Sequence, residues 1–169
     1  MTPLNPMQAS RFMWAHPAHP FALGFGSGLS PVAPGTVGTL WAWASYSLLT
    51  LYLNTTEMGL LIGASLVLGC WFCKVTAEHM QVSDPSAIVW DEIAAFWLIL
   101  WLWLPAGLGA QLIAFVLFRL FDAVKPGPVG WADKRFHGLG WRGGFGIMFD
   151  DLVAAFCTLL CLAIWQATR

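Results

Sequence analysis

The stretch Ile93-Ala94-Ala95-Phe96-Trp97-Leu98-Ile99-Leu100-Trp101-Leu102-Trp103-Leu104-Pro105-Ala106-Gly107-Leu108-Gly109-Ala110-Gln111-Leu112-Ile113-Ala114-Phe115-Val116-Leu117-Phe118-Arg119-Leu120-Phe121 runs for about 29 residues with Arg119 as its only charge. An α-helix rises ~1.5 Å per residue and needs roughly 17 to 25 apolar residues to cross ~30 Å of hydrocarbon. The run is too long for one crossing, and Pro105-Ala106-Gly107 breaks it in the middle, so it reads as a hairpin of two membrane helices. Each arm has only about 14 residues if cut at the charged ends. The helices must therefore extend into Asp91-Glu92 and through Arg119 to Asp122, or the bilayer must thin locally.

Working outward, residues 37–53, 58 to about 75, and 152 to about 166 are further apolar runs of spanning length, for an expected total of about five spans. The composition agrees: 58% hydrophobic and 10% charged residues, with 11 tryptophans in 169 positions, is too apolar for a water-soluble domain of this size. The expected fold class is an all-α, polytopic membrane helical bundle forming a single domain over 1–169. Residues 1–22 carry scattered prolines and no continuous apolar core before a cleavage site, and read as an interfacial or partly disordered lead-in rather than a signal peptide. With five spans, Arg11, Lys74, Arg119, Lys125, Lys134, Arg135 and Arg142 fall on one side and only Arg169 on the other, which places the N-terminus in the cytoplasm. Every acid except Glu57 falls on that cytoplasmic side as well. A net charge of −1 makes no case for nucleic-acid binding, and nothing identifies a protein partner. The pairs Cys70/Cys73 and Cys157/Cys161 each share a helix face and read as packing residues, because four thiolates buried in spans without counter-charge are costly.

Four clusters meet on the cytoplasmic side. Phe25-Gly26-Ser27-Gly28-Leu29-Ser30-Pro31 and Pro34-Gly35-Thr36-Val37-Gly38-Thr39-Leu40 form a glycine-rich loop running into the first span. Its backbone N–H groups at a helix N-terminus suit an anion such as phosphate, or Thr36 simply caps the helix. Asp91 and Glu92 open the third span. Arg119, Asp122 and Lys125, spaced by three, stack on one face as the fourth span ends, either as a self-neutralised salt-bridge stripe or as a functional one. Asp150 and Asp151 open the last span after Gly143-Gly144-Phe145-Gly146-Ile147-Met148.

Five carboxylates gathered at one membrane edge repel unless a divalent cation or buried basic groups neutralise them. Hard oxygen donors without cysteine or clustered histidine favour Mg²⁺ or Mn²⁺ over zinc, and Mg²⁺ fills its shell with water and phosphate oxygens. A phosphate-handling membrane enzyme follows. The chain lacks Cys-x5-Arg, the Asp-x-Asp of aspartyl-phosphate phosphatases, the Pro-Ser-Gly-His of histidine-dependent lipid phosphatases and the CDP-alcohol phosphotransferase signature. Metal-assisted attack on a phosphomonoester remains, with Arg119 and Lys125 stabilising charge on the phosphoryl oxygens.

The ordered motifs Phe25–Pro31, Pro34–Leu40, Val89-Trp90-Asp91-Glu92, Phe118-Arg119-Leu120-Phe121-Asp122-Ala123-Val124-Lys125-Pro126-Gly127-Pro128 and Gly146-Ile147-Met148-Phe149-Asp150-Asp151 resemble bacterial phosphatidylglycerophosphatase A over about residues 23–160. The resemblance implies an all-helical, Mg²⁺-dependent phosphatase of the bacterial cytoplasmic membrane, acting on phosphatidylglycerol phosphate to release phosphatidylglycerol and inorganic phosphate. Carried over by position, Asp91, Glu92, Asp122, Asp150 and Asp151 fall in the acidic motifs and are the metal-ligand candidates. Asp122, Lys125 and Asp151 are the catalytic candidates, and Thr36, Arg119, Lys125 and His137 are candidates for substrate binding. One departure concerns His137-Gly138, which Leu139-Gly140-Trp141-Arg142-Gly143 separates from Gly144-Phe145-Gly146, where similar sequences run without interruption.

Two other classes are weighed against this reading. A small transporter would use polar residues at the midplane, and the spans carry almost none beyond Ser and Thr. An assembly protein tolerates a charged edge but has no use for a glycine-rich anion loop facing it.

Overall fold

A computed structural model describes residues 6–103, 107–136 and 138–168, with side chains from Ala9 onward. The described residues are helical and contain no strand: α1 (Pro6–Met13), α2 (Ala18–Ala22), a tight turn at Gly24–Leu29, α3 (Pro34–Leu49), α4 (Thr55–Met80), α5 (Trp90–Leu102), α6 (Leu108–Val124), α7 (Pro128–Arg135) and α8 (Trp141–Ala167). The hairpin expected from the 93–121 run is present as α5 and α6; Gly107 precedes α6, while Pro105 and Ala106 lie outside the described residues.

The short helix α5 is the centre of the bundle. Ile93, Ala94, Ala95 and Phe96 are fully buried, and α3, α4 and α8 pack around them. A helix apolar on every side has no face to give to water, and its paired alanines let the neighbouring helices approach closely. Where α4 crosses α8, Gly69 lies against Met148 and Gly144 against the Cys70 carbonyl; a methyl group at either glycine would overlap these atoms. Cys73 packs within the core.

The outer faces of the bundle are apolar. Leu60 and Val67 on α4, Leu112 and Val116 on α6, and Phe156 and Ile164 on α8 all stand exposed. α4 and α8 are long and apolar enough to cross a bilayer, and only 39% and 44% of their most apolar windows are buried, so most of that surface faces outward. α3, α5 and α6, with 16, 13 and 17 residues, are shorter.

Helix ends differ from the sequence-based expectation in three places. α3 starts at Pro34, a residue pre-shaped for a first helical position, with Ala33 in the left-handed region (φ 46) at the cap; Thr36 therefore lies inside the first turn and is not the cap. α8 starts at Trp141, so Asp150 and Asp151 lie in its third turn rather than at its opening. The glycines at 143, 144 and 146 do not break this helix because each is pressed against a neighbour: Gly143 on the Gly138 carbonyl and Gly146 on the Phe136 carbonyl, with Gly144 on α4. The 18–22 segment, expected in the lead-in, is helical, buried except at Phe21, and packs on α4. There His19 Nδ1 donates to the Phe12 carbonyl at 2.7 Å while its Nε2 meets His79 Nδ1 at 2.8 Å. At the far end, α4 begins with a capping box in which Asn54 Oδ1 accepts from the Thr56 and Glu57 N–H groups and Glu57 Oε2 accepts from Asn54 N–H, which accounts for Glu57.

Candidate active site

The starts of α3 and α5, the ends of α4 and α6, α7 and the third turn of α8 meet at one end of the bundle. Gly35 and Gly38 on α3 make the closest approach. A Cβ at Gly35 would overlap Glu92 Oε1 and crowd Arg119, and one at Gly38 would sit 2.8 Å from Val89 Cβ. The Pro-Gly-Thr-Val-Gly segment thus opens room for a buried glutamate and its arginine.

Arg119 holds three groups together. Its Nη1 donates to Glu92 Oε1 at 3.0 Å, to Asp122 Oδ2 at 2.6 Å and to Thr39 Oγ1 at 3.4 Å. Thr39 Oγ1 in turn donates to the Gly35 carbonyl at 2.8 Å. Lys125 makes a second centre, donating to Asp133 Oδ1 on α7 at 2.6 Å and to Asp150 Oδ2 on α8 at 2.5 Å. The stripe expected from the 119, 122, 125 spacing is therefore split. Lys125 is the residue that ends α6, its backbone turns left-handed (φ 48), and its side chain leaves the helical register that joins Arg119 to Asp122. Burial pushes the Lys125 ammonium toward losing its proton, but the hydrogen bonds to Asp133 and Asp150 outweigh that and hold it protonated above the ordinary lysine range.

Acid outnumbers base. Asp151 lies within electrostatic reach of Asp122, Asp91, Asp150 and Glu92, and Asp84 of the α4–α5 loop adds its charge to Asp91, Glu92 and Asp150. With Asp133, seven carboxylates share Arg119 and Lys125. Oδ1 of Asp91, Oε2 of Glu92, Oδ1 of Asp150 and Oδ2 of Asp151 are buried without a hydrogen-bond partner, as is the donor Nε of Arg119. Orphaned buried oxygens of this kind cost free energy unless a proton or cation satisfies them. One oxygen each from Glu92, Asp122 and Asp151 lies within 4.8 Å of the others, a spacing and donor chemistry that fit a hard divalent ion.

Of the residues singled out from sequence, Glu92, Arg119, Asp122 and Asp151 come together, and Lys125 joins Asp150 beside them. Asp91 precedes Glu92 with its Oδ1 buried, and Thr36 is half-buried next to Gly35. His137 lies outside the described residues. The sequence reading overlooked three participants. Thr39, four residues after Gly35, carries its signal in the spacing that puts both on one helix face. Asp133 and Asp84, which line a water-sized pocket with Asp150, sit in a short helix and a loop without a periodic signal.

By fold and site this is an all-helical protein, compatible with association with a membrane, that gathers hard oxygen donors and two cations in a partly buried cluster. A family model for phosphatidylglycerophosphatase A matches residues 21–166. The phosphatidylglycerophosphatase A of Escherichia coli is 40% identical over 152 residues, covering 86% of this chain and 81% of the relative. That of Haemophilus influenzae is 37% identical over 163 residues, covering 92% and 91%. A Bacteroides thetaiotaomicron protein named provisionally as a phosphatidylinositol-3-phosphatase is 35% identical over 153 residues, covering 83% and 88%. No solved structure matches. The chain belongs to the phosphatidylglycerophosphatase A family and is an enzyme, a phosphatase.

Proposed function

We propose that this protein hydrolyses the phosphomonoester of phosphatidylglycerol phosphate, releasing phosphatidylglycerol and inorganic phosphate, with Mg²⁺ held by Glu92, Asp122 and Asp151. The observation that carries the reading is the convergence of those three carboxylates beside Arg119, at one end of an apolar-faced bundle in a chain of this family. We place that end at the cytoplasmic face of a bacterial inner membrane, in a single domain that crosses the bilayer five times, because the basic residues segregate there. The shorter α5 and α6 reach across only with their charged ends, Asp91–Glu92 and Arg119–Asp122, at the interface, while α3 carries no charge at either end.

A bound Mg²⁺ supplies a Lewis acid for the phosphoryl oxygens and lowers the pKa of water. Arg119 brings a donor, Nε, that no protein acceptor uses, suited to a phosphoryl oxygen. Lys125 stays charged through Asp133 and Asp150 and adds positive charge where the transition state gathers negative charge. Water adds to phosphorus, the ester P–O bond breaks, and the departing lipid alkoxide takes a proton.

Phosphate release by purified protein in detergent micelles tests the reaction, with phosphatidylinositol 3-phosphate as the comparison substrate. Release from phosphatidylglycerol phosphate at the higher kcat/KM is expected, whereas a transport or assembly protein leaves both lipids intact. Thermal melting tests the ion without turnover: at Mg²⁺ about 100-fold above Kd, a single site adds roughly 2.7 kcal/mol and raises Tm over that in EDTA. Asp151→Asn should erase the shift, and an identical shift in that variant would remove Asp151 from the site.

A further inference from the structure

Away from the carboxylate cluster, three histidines meet where the N-terminal segment lies on α4. The buried His19 ring is stacked on Phe12 at 4.2 Å and both of its nitrogens are used. Nδ1–H donates to the Phe12 carbonyl at 2.7 Å, so Nε2 accepts from His79 Nδ1–H at 2.8 Å. The His16 ring stands 5.5 Å from that of His19 and 5.4 Å from that of His79. One proton added to the pair leaves a donor and an acceptor in contact. A second sets two donors and two like charges against each other, one of them buried. No carboxylate compensates. The charges that bear on His19 are those of His79 on α4 and His16 before α2, while Glu78 of α4 is engaged by Lys74 at 3.6 Å and Arg11 of α1 is exposed. The turn at Gly24–Leu29 carries no titratable group, and Asp91 and Glu92 of α5 bear on the carboxylate cluster instead. Burial pushes the His19 imidazole below the ordinary histidine range, outweighing the hydrogen bond to Phe12, and the two neighbouring histidines push it the same way. A base held below its unfolded value contributes stability above about pH 6.5 that is lost as the pH falls below it.

What α2 holds is the start of α5. Leu23 N–H donates to the His19 carbonyl at 2.9 Å, and Ala22, one turn after His19, accepts from Val89 N–H at 2.9 Å. Next to it, a Cβ at Gly24 would sit 2.7 Å from Val89 Cγ2 and 2.8 Å from Ile93 Cδ1, and one at Gly28 would overlap the Ala87 carbonyl. Val89 caps α5 and Glu92 follows three residues on, so that both face Gly38 of α3. We propose that His19 and His79 are positioning residues, a latch that holds α2 on α4 and, through Ala22 and Val89, fixes where α5 starts and where Glu92 sits, and that uptake of a second proton opens it.

His79→Asn separates the charge from the hydrogen bond. Its amide donates to His19 Nε2 from the place of Nδ1 and, turned over, accepts from a protonated His19, without titrating itself. Hydrogen exchange in detergent at about pH 7.5 and about pH 5.5, either side of the ordinary histidine pKa of about 6.5, reads the latch without turnover. In wild-type protein the protection factors of residues 18–23 and of Val89 N–H should fall together, at least about tenfold, at the lower pH. His79→Asn should keep both at either pH, and His79→Ala should lose both already at the higher one. Loss of protection over 18–23 with Val89 still protected, or the same fall in His79→Asn as in wild type, overturns the proposal. The link to turnover rests on the phosphatase reading. The wild-type kcat divided by that of His79→Asn, a ratio in which titration of the carboxylate cluster cancels, should fall about tenfold from the higher to the lower pH, with KM less affected. A ratio constant with pH overturns the coupling to Glu92. Absence of phosphate release by every one of these proteins, alongside the expected exchange pattern, would instead fault the phosphatase reading and leave the latch assigned.

Discussion

At the scale of single residues, the site depends as much on an absent side chain as on the charged ones. Gly35 leaves room for Glu92 and Arg119, so Gly35→Ala must displace the carboxylate or the helix; overpacking of this kind costs about 1–3 kcal/mol, and turnover should fall with it. Gly63, on the same bundle, has nothing within 4 Å of where its Cβ would be. Gly63→Ala should therefore keep full activity and raise stability by roughly 0.5–1 kcal/mol, read from melting curves in detergent. Equal behaviour of the two variants would refute the close-approach role of Gly35. Asp122→Asn tests charge at nearly constant shape. Arg119 retains Glu92 at 3.0 Å, so the stability loss should stay near 1 kcal/mol, whereas kcat should fall at least ~100-fold if Asp122 helps to hold the ion. Wild-type turnover from a folded Asp122→Asn protein would return its pair with Arg119 to a purely structural role.

At the scale of elements, the end of α6 does two jobs at once. Its left-handed final residue terminates the helix, and the same turn sends the Lys125 side chain between α7 and α8 to bind Asp133 and Asp150. The jobs are separable. Lys125→Ala removes the cation but keeps a Cβ in a conformation that costs ~1–2 kcal/mol, while Lys125→Gly removes both the cation and the strain. Both variants should lose kcat by a similar factor, about 100-fold or more, yet the glycine variant should melt higher than the alanine variant. Recovery of turnover in the glycine variant would mean that backbone shape, rather than charge, is what the site needs from position 125.

At the scale of the whole molecule, charge is segregated end to end. The acidic cluster, Arg119, Lys125 and the Lys74–Glu78 pair lie towards one end of the bundle, and the Asn54–Glu57 capping box lies at the other end of α4. Between them the exposed surface of α4, α6 and α8 is apolar. With five crossings, compartment reporters fused after Thr55 and after Gly130 should read opposite sides of the membrane. A shared compartment would exclude the five-span arrangement, and equally one in which only α4 and α8 cross.

The sequence alone was enough for the helical class and the family motifs, because apolar run length and a Pro-Ala-Gly break are local properties that dictate helices, and ordered motifs survive without any knowledge of contacts. It also pointed to Glu92, Arg119, Asp122, Lys125 and Asp151, since each sits in a charged group flanking an apolar run. Partnership was another matter. The even spacing of Arg119, Asp122 and Lys125 suggested one stripe, but a single left-handed residue sends Lys125 to another pair of acids. Asp150 and Asp151 looked like helix openers until glycines packed on neighbouring carbonyls carried α8 two turns further back. Thr39, Asp84 and Asp133 entered the site only through the packing of α3, the α4–α5 loop and α7. Which carboxylates share a cation and which are left buried without a partner depends on helices brought together from distant parts of the chain, and no spacing along the sequence encodes that distance.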